Sequence, residues 1–248
     1  MRIYLATPGS QLHAECMAGQ YVLESFALTA KCPWMVRFRP TFRGMILDSG
    51  AYSVMSKGKT VDLEEYIDFA LEHRAGYDRI VNLDVISGDV ESRVDQGKKN
   101  LQRMRDAGLD PMPVFHQGEP WSVLEELASC GKVGLGFQRP IKCAEQFLDG
   151  CFSRMPANCR SHGFGMANER LVGTYPFWSV DAATWLHELL ALMALSGQGS
   201  DVMKYLTPSE ILALVLKKYE RLHRATAWAG RQQRELDLFS CLTENDAA

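Results

Sequence analysis

The chain lacks a strong excess of positive charge. Lys and Arg number 27 in its 248 residues against 30 Asp and Glu, and the formal net charge is -3. Proteins that bind nucleic acid through overall electrostatic attraction are usually basic. The charge balance therefore excludes a strongly basic nucleic-acid binder, and a polyanion would have to be bound by a local cluster of Lys and Arg.

The chain also lacks a long apolar run and a paired cysteine motif. Its most apolar stretch, residues 185–195, contains His187 and Glu188 and is too short to span a bilayer. The seven cysteines are odd in number and form no C-x-x-C pair, which is typical of reduced thiols. Residues 2–6 have a strand-like pattern and no features of a secretory signal. We therefore expect a soluble, cytoplasmic protein.

The remaining composition is that of an ordinary globular protein. Hydrophobic residues make up 46% of the chain and charged residues 23%, which excludes wholesale disorder. A chain of this length can bury a large core without disulfides or metals. It contains no linker, low-complexity tract or internal repeat that would mark a second domain. We expect one domain over residues 1–248.

Short apolar runs alternate with helical patterns along the chain, which predicts parallel strands with helices outside them. The predicted strands are the runs 3–5, 45–47, 80–83, 113–115, 133–135, 163–165 and 177–180. An eighth strand near residues 201–206 is irregular or incomplete in this interpretation. The pattern favours a TIM-like (β/α)8 barrel, and a doubly wound open sheet is the alternative.

Helix starts in the sequence agree with this alternation. Asp62 and Glu65 have the spacing of a capping box before a helix, and Pro120 stands where a further helix begins. A stripe of apolar residues from Val90 predicts another helix, and the segment from Thr207 predicts a long one whose inward face includes Val215.

Three aspartates follow directly after apolar runs: Asp48, Asp84 and Asp181. In a barrel enzyme the strands' C-terminal ends carry the chemistry, so these side chains are expected to meet at one rim. One such residue alone, Asp84 for example, could equally cap the next helix. Carboxylates that converge repel one another and raise one another's pKa, which is typical of a catalytic or cation-binding site.

Paired carboxylates suit chemistry at a sugar's anomeric carbon, where one attacks the carbon and the other moves a proton. A divalent metal is the competing use of such a cluster. The sequence has no H-x-H or H-x-x-x-H pair, and we expect neither a metal nor another cofactor. His116 and His162 lie at strand positions, where a structural histidine is the more common case.

Other strand exits contain groups that could hold a planar ligand. The glycines of the 133–136 run bring backbone close to the barrel mouth, and Gln117 offers both a donor and an acceptor. Tyr52, Phe137 and Trp178 could stack on a ring, although core packing explains Trp178 equally well.

The segment 48–52, with the sequence D-S-G-A-Y, resembles the D-S-G-G-F segment of tRNA-guanine transglycosylases. Later pieces follow in the same order, from about residue 45 to residue 185. The stretches P-V-F-H-Q-G-E-P at 113–120, H-G-F-G at 162–165 and S-V-D at 179–181 resemble most the phage-type DNA deazaguanine transglycosylases. For a phage protein the expected location would be the host cytoplasm.

The resemblance implies a TIM-like barrel that exchanges guanine in DNA for a 7-deazaguanine base such as preQ0 or a derivative. Asp181 would be the nucleophile that forms an aspartyl-glycosyl intermediate, and Asp48 the general acid/base. The resemblance implies a set of base-binding residues: Asp84, Gln117, Gly136, Ser49, Tyr52 and Phe137.

The tRNA enzymes of this family carry a C-terminal zinc segment that this sequence lacks, since only His223 and Cys241 stand in that region. Its absence favours a nucleic-acid substrate other than tRNA, and the resemblance to the phage-type branch implies double-stranded DNA with a flipped guanine. The expected nucleic-acid contacts are Lys57, Lys59, His162 and Arg170. A tRNA-guanine transglycosylase, and a nucleoside or glycoside hydrolase on a similar barrel, are the alternatives.

Overall fold

The computed structural model describes residues 1–55, 60–137, 144–185, 210, 213–219 and 221. Eight parallel strands form the sheet: β1 Arg2–Ala6, β2 Tyr21–Ser25, β3 Gly44–Asp48, β4 Arg79–Ile80, β5 Val114–His116, β6 Lys132–Gly136, β7 Arg160–Gly163 and β8 Ser179–Ala182. Eight α-helices are described: α1 Gln11–Cys16, α2 Met35–Phe38, α3 Ala51–Met55, α4 Leu63–His73, α5 Val90–Asp106, α6 Trp121–Ala128, α7 Ala144–Phe152 and α8 Glu169–Thr174. A π-helical turn lies at Phe26–Ala30, and 3-10 turns lie at Arg39–Thr41 and Arg74–Gly76.

The strands curl into an incomplete (β/α)8 barrel. Their order in the sheet is β4-β3-β2-β1-β8-β7-β6-β5, with every neighbouring pair parallel. An isolated parallel bridge between Val81 and Met112 joins the segment after β4 to the segment before β5. The two edge strands therefore meet at a narrow seam. The barrel predicted from the sequence is confirmed, and the open doubly wound alternative is wrong.

The strand β2 was not among the predicted ones. It contains Glu24, which interrupts the apolar pattern, although the residue is fully buried. The guanidinium of Arg39 donates to both carboxylate oxygens of Glu24 at 3.1 and 3.0 Å. The Tyr77 hydroxyl donates to Glu24 Oε2 at 2.8 Å. A buried charge with this many partners is tolerated in a strand. The eighth strand expected at residues 201–206 falls outside the described residues.

Helix starts follow the capping chemistry read from the sequence. The Asp62 carboxylate accepts a hydrogen bond from the Glu65 amide at 2.9 Å, which satisfies a free N–H group in the first turn of α4. Pro120 directly precedes α6. Residues 213–219 are helical, and Val215 and Tyr219 are buried as the apolar stripe predicts.

Alternation along each strand separates two sets of buried side chains. Outward-facing residues such as Ile3, Leu5 and Phe115 pack against the helices. Inward-facing residues fill the barrel: Tyr4, Leu23, Ile46, Val81, Met112 and Val114. Because side chains alternate with a period of two, the next inward positions toward the C-terminal ends are Ser25 after Leu23, Asp48 after Ile46 and His116 after Val114. The sheet thus presents a polar layer directly above an apolar one.

No helix in the described ranges is long and apolar enough to cross a membrane.

Candidate active site

A cavity of about 340 Å³ opens at the C-terminal ends of the strands. This is the size range of small-molecule sites and the end of the barrel where such sites occur. All three predicted aspartates line it, which brings together residues separated by more than a hundred positions in the chain. The lining also includes hydroxyl, imidazole, amide and aromatic groups: Thr7, Ser25, Tyr52, Ser53, His116, Phe137, Phe164 and Asn168.

Asp48 ends β3 and is held by the turn that follows it. The Gly50 amide donates to Asp48 Oδ2 at 2.9 Å, and Gly50 has a positive φ of 77°. A β-carbon at position 50 would come within 2.2 Å of Ser25 Oγ. The D-S-G segment therefore needs its glycine both for the turn and for the close approach of β2.

Burial, together with the charges of Asp84 and Asp181, raises the pKa of Asp48 to about 7. Hydrogen bonds from the Gly50 and Ser49 amides act in the opposite direction and are outweighed. A carboxyl group with this pKa holds a proton in a large share of molecules at neutral pH, so it can donate one as well as accept one.

Asp181 on β8 is held from two sides. The Gly165 amide donates to Asp181 Oδ1 at 2.7 Å, which fixes the orientation of the carboxyl group. Nε2 of His162 lies 3.4 Å from the same oxygen but makes no hydrogen bond, while its Nδ1 is 2.7 Å from Ser179 Oγ. His162 is completely buried beneath Asp181 and does not line the cavity.

Asp84, which follows β4, is joined to the end of β5. His116 Nε2 lies 2.8 Å from Asp84 Oδ2, and His116 Nδ1 lies 3.2 Å from Glu119 Oε1. Glu119 Oε2 also accepts from the His116 backbone amide at 3.1 Å. The three side chains form a carboxylate–imidazole–carboxylate chain, in which Asp84 and His116 line the cavity and Glu119 lies behind them.

This arrangement raises the pKa of His116 to about 9. Burial of the ring acts to lower the pKa, but hydrogen bonds and charge interactions with both carboxylates outweigh it. At neutral pH the ring is therefore an imidazolium, and both nitrogens are donors.

The glycines of β6 have a different role from the one expected. We predicted that the 133–136 run leaves room for a planar ligand. A β-carbon at Gly134 would lie 2.6 Å from the Phe164 ring, and one at Gly136 would lie 2.5 Å from His116 Cδ2. The space beside both glycines is thus filled by the protein's own rings, although Gly136 still contributes to the cavity wall.

The other expected base-binding residues are divided between the cavity and its surroundings. Tyr52 lines the cavity with 72% of its surface exposed, and Phe137 lines it half-buried. Ser49 is buried within the turn, where its hydroxyl accepts from the Ala51 amide at 3.3 Å. Gln117 lies in the turn after β5, where its backbone N–H donates to the Gly136 carbonyl. Gln117 is not part of the cavity wall.

Two of the four expected nucleic-acid contacts, His162 and Arg170, lie within the described residues, and neither lines this cavity. Arg170 on α8 forms an ion pair with Glu145 of α7 and does not line the cavity. Lys57 and Lys59 fall outside the described residues. Trp178 lies beside the start of β1, where the guanidinium carbons of Arg2 and Arg79 stand 4.8 and 4.9 Å from its ring centroid.

Sequence reasoning missed several residues in and around the site, among them Ser25, Thr7 and Glu119. Ser25 is 2% exposed, lines the cavity and has a hydroxyl without a hydrogen-bond partner. Thr7, at the exit of β1, has a positive φ of 39°, which is costly for a β-branched residue and often marks a functional site. Glu119 gave a readable signal, since it stands three residues after a histidine in a strand-exit turn.

No protein-family model and no curated protein matches the chain. The chain is similar in structure to the YdjI aldolase from Escherichia coli K12, with a TM-score of 0.56 and 9% identity over 89% of this chain and 90% of that one. A putative fructose-1,6-biphosphate aldolase from Coccidioides immitis gives 0.59 and 10% over 92% and 91%. A tryptophan synthase complex from Pyrococcus furiosus gives 0.55 and 14% over 90% and 96%.

These TIM-barrel enzymes are similar to the chain in fold alone. The fold implied by the resemblance to transglycosylases is confirmed, but the expected exchange of guanine in DNA or tRNA is a wrong assignment. The similar solved structures are aldolases and a tryptophan synthase, and no family model supports a transglycosylase. The placement of Gln117 and Arg170 away from the cavity agrees with this correction.

Within the described residues, no group of three or more His, Cys, Asp or Glu is arranged to hold a metal ion.

Proposed function

We propose that the chain is an enzyme that hydrolyses a glycosidic bond in a small substrate, with a nucleoside or a simple glycoside as the substrate class. The observation that carries the proposal is the difference in environment between Asp48 and Asp181, two carboxyl groups of one cavity. Asp48 has a raised pKa, whereas Asp181 accepts a hydrogen bond from the Gly165 amide. Two carboxyl groups in different environments are the usual equipment for acid–base cleavage at a sugar carbon.

Asp48 acts as the acid in this proposal. Its pKa of about 7 leaves a proton available for the leaving atom when the bond between that atom and the sugar carbon breaks. The Asp181 carboxylate, held by the Gly165 amide, stabilises the positive charge that develops on the carbon. Water then adds to the carbon and returns its proton to Asp48, so that the enzyme ends in its starting state.

The charges in the wall of the cavity favour an uncharged or cationic substrate. It contains three aspartates, and no Lys or Arg is among the described residues that line it. Ser25 offers a hydroxyl without a hydrogen-bond partner, and the Thr7 hydroxyl, which donates to the Leu23 carbonyl, can still accept, so sugar hydroxyls would find partners here. The absence of a lysine from this described wall also gives no support for Schiff-base chemistry of the aldolase kind.

The test is release of base or aglycone from a panel of ribonucleosides, deoxyribonucleosides and aryl glycosides, followed by chromatography. Asp48→Asn and Asp181→Asn should each lower the rate by about 100-fold or more, because each removes one half of the acid–base pair. Asp68→Asn, an exposed aspartate on α4, is the matched control and should leave the rate unchanged.

The pH dependence gives a second criterion. The acid must carry its proton, so the rate should fall as the pH rises through about 7, the pKa of Asp48. Release that is unaffected by Asp181→Asn, or no release from any member of the panel by the folded protein, would contradict the proposal.

A further inference from the structure

Glu119 is a buried carboxylate for which the proposed reaction has no direct use. It is 9% exposed, lies behind His116 and is absent from the cavity wall. It follows β5 in a tight turn whose backbone is fixed by a hydrogen bond from its own amide to the His116 carbonyl at 3.2 Å. Its two oxygens are directed to a single neighbour, since Oε2 accepts from the His116 amide and Oε1 faces His116 Nδ1.

We infer that Glu119 is a positioning residue, which through His116 fixes the Asp84 carboxylate at the cavity wall as a hydrogen-bond acceptor. The inference rests on the proposed function only for its catalytic consequence. The arrangement itself is a property of the protein without substrate, and it can be measured in that state.

The geometry of these contacts fixes where the protons of the His116 ring lie. A carboxylate at Nδ1 requires a proton on that nitrogen, and a carboxylate at Nε2 requires one on the other, so the ring between Glu119 and Asp84 carries both protons. Asp84 Oδ2 lies 2.8 Å from the ring, and its side chain is 15% exposed at the cavity. Asp84 held in this way can accept hydrogen bonds from a substrate's N–H or O–H groups.

The other charged groups around the His116 ring do not take the place of Glu119 as the hydrogen-bond partner of Nδ1. Arg93 and Lys98 of α5 border a small pocket that Asp84, His116 and Glu119 also line. Arg93 donates to the Ile86 carbonyl at 3.3 Å, and Lys98 pairs with Glu126 of α6. From β3 and β8, Asp48 and Asp181 share the cavity with His116. The adjoining strand β6 contributes only Gly136 at this point, with no charge.

The experiment is nitrogen-15 NMR of the full chain labelled at its histidines. Six histidines are present, and His116→Gln identifies the signals of interest. In the wild type at pH 7.5 both His116 ring nitrogens should have the shifts of an imidazolium. In Glu119→Gln, which keeps the shape and removes the charge, the titration midpoint should fall by about one pH unit or more.

Two further variants separate positioning from a general effect of mutation. Glu119→Asp keeps the charge and should hold the midpoint closer to that of the wild type. Glu125→Gln, an exposed glutamate on the nearby helix α6, should leave it unchanged. An unchanged midpoint in folded Glu119→Gln would overturn the inference.

If Glu119→Gln does not fold, the protonation state of His116 in the wild-type protein tests the inference instead. A neutral His116 ring at pH 7.5 in the unmodified protein overturns the inference, and an imidazolium there together with a retained midpoint in Glu119→Asp supports it. Because none of these measurements uses a substrate, failure of the proposed hydrolysis and failure of the positioning role are distinguishable.

Discussion

Gly50 and Ser25 lie so close together that a β-carbon at residue 50 would stand 2.2 Å from Ser25 Oγ. The contact joins the turn after β3 to the end of β2. These two strands are paired in the sheet, with Ser25 opposite Asp48. Nothing larger than hydrogen fits between them, and the positive φ of Gly50 is itself unfavourable for other residues.

Gly50→Ala should therefore destabilise the fold by about 2 kcal/mol or more, since it adds a steric conflict to an unfavourable backbone conformation. Urea unfolding followed by circular dichroism measures the change. Gly76→Ala is the control, because no atom lies within 4 Å of the corresponding β-carbon and Gly76 has no positive φ. Equal stability of the two variants would show that the turn has more room than the contact implies.

Asp48 should make the protein less stable as the pH rises. Its folded pKa of about 7 lies above the unfolded value of 3.8, so the folded state binds more protons between these values. Stability is therefore lost as the pH rises from about 4 to 7, with no penalty below that window and the full penalty above it. Asp48→Asn removes this dependence and should be more stable than the wild type at pH 8, by roughly 4 kcal/mol at most, since one pKa unit corresponds to about 1.4 kcal/mol.

Thermal unfolding of both proteins at pH 4 and pH 8 measures this difference. The gain should be present at pH 8 and absent at pH 4. A variant that is less stable than the wild type at both pH values would contradict the raised pKa. The expected trade of stability for activity is common where a buried group is retained for chemistry.

Glu24→Gln should destabilise the protein by about 3 kcal/mol, because it leaves the Arg39 guanidinium without a charged partner in a buried position. The Arg39 side chain is 12% exposed and that of Glu24 is fully buried. Glu64→Gln is a matched control, since Glu64 also binds an arginine through both oxygens, here Arg103, but on the surface. The control should cost less than about 1 kcal/mol. Chemical denaturation of the two variants gives both values, and similar losses would argue that the Glu24 site is not isolated from water.

Gly136→Ala should disturb the bond between His116 and Asp84 while leaving Glu119 in place. The added β-carbon would stand 2.5 Å from His116 Cδ2, so the ring must turn away. We expect a lower His116 titration midpoint by nitrogen-15 NMR, because the hydrogen bond to Asp84 is one cause of its raised pKa. Gly97→Ala on α5, where no atom lies within 4 Å of the corresponding β-carbon, should leave the midpoint at its original value.

The three aspartates were accessible from the sequence because one rule places them: a residue directly after a buried parallel strand lies at the C-terminal rim. The rule needs no knowledge of side-chain contacts. It failed for Ser25, because β2 itself was hidden by Glu24, whose burial depends on Arg39 from a different element. Pairing between distant residues is not encoded in local pattern.

The roles of His116 and Gly136 were also out of reach for the sequence alone. Both were recognised as strand-exit residues, but their relation depends on the register between β5 and β6, which sets His116 opposite Gly136. A glycine that makes room for a ligand and one that makes room for a neighbouring ring have the same local pattern. Only the packing distinguishes them.

The seam between β4 and β5 has a consequence for how the barrel holds its shape. Its backbone pairing is the single bridge between Val81 and Met112, and the Asp84–His116 contact spans the same gap one layer above. The side-chain hydrogen bond thus adds a second connection between β4 and β5 where backbone pairing is short. Loss of the proton from His116 Nε2 would remove its hydrogen bond to Asp84, and with it a side-chain contact between the two edges of the sheet.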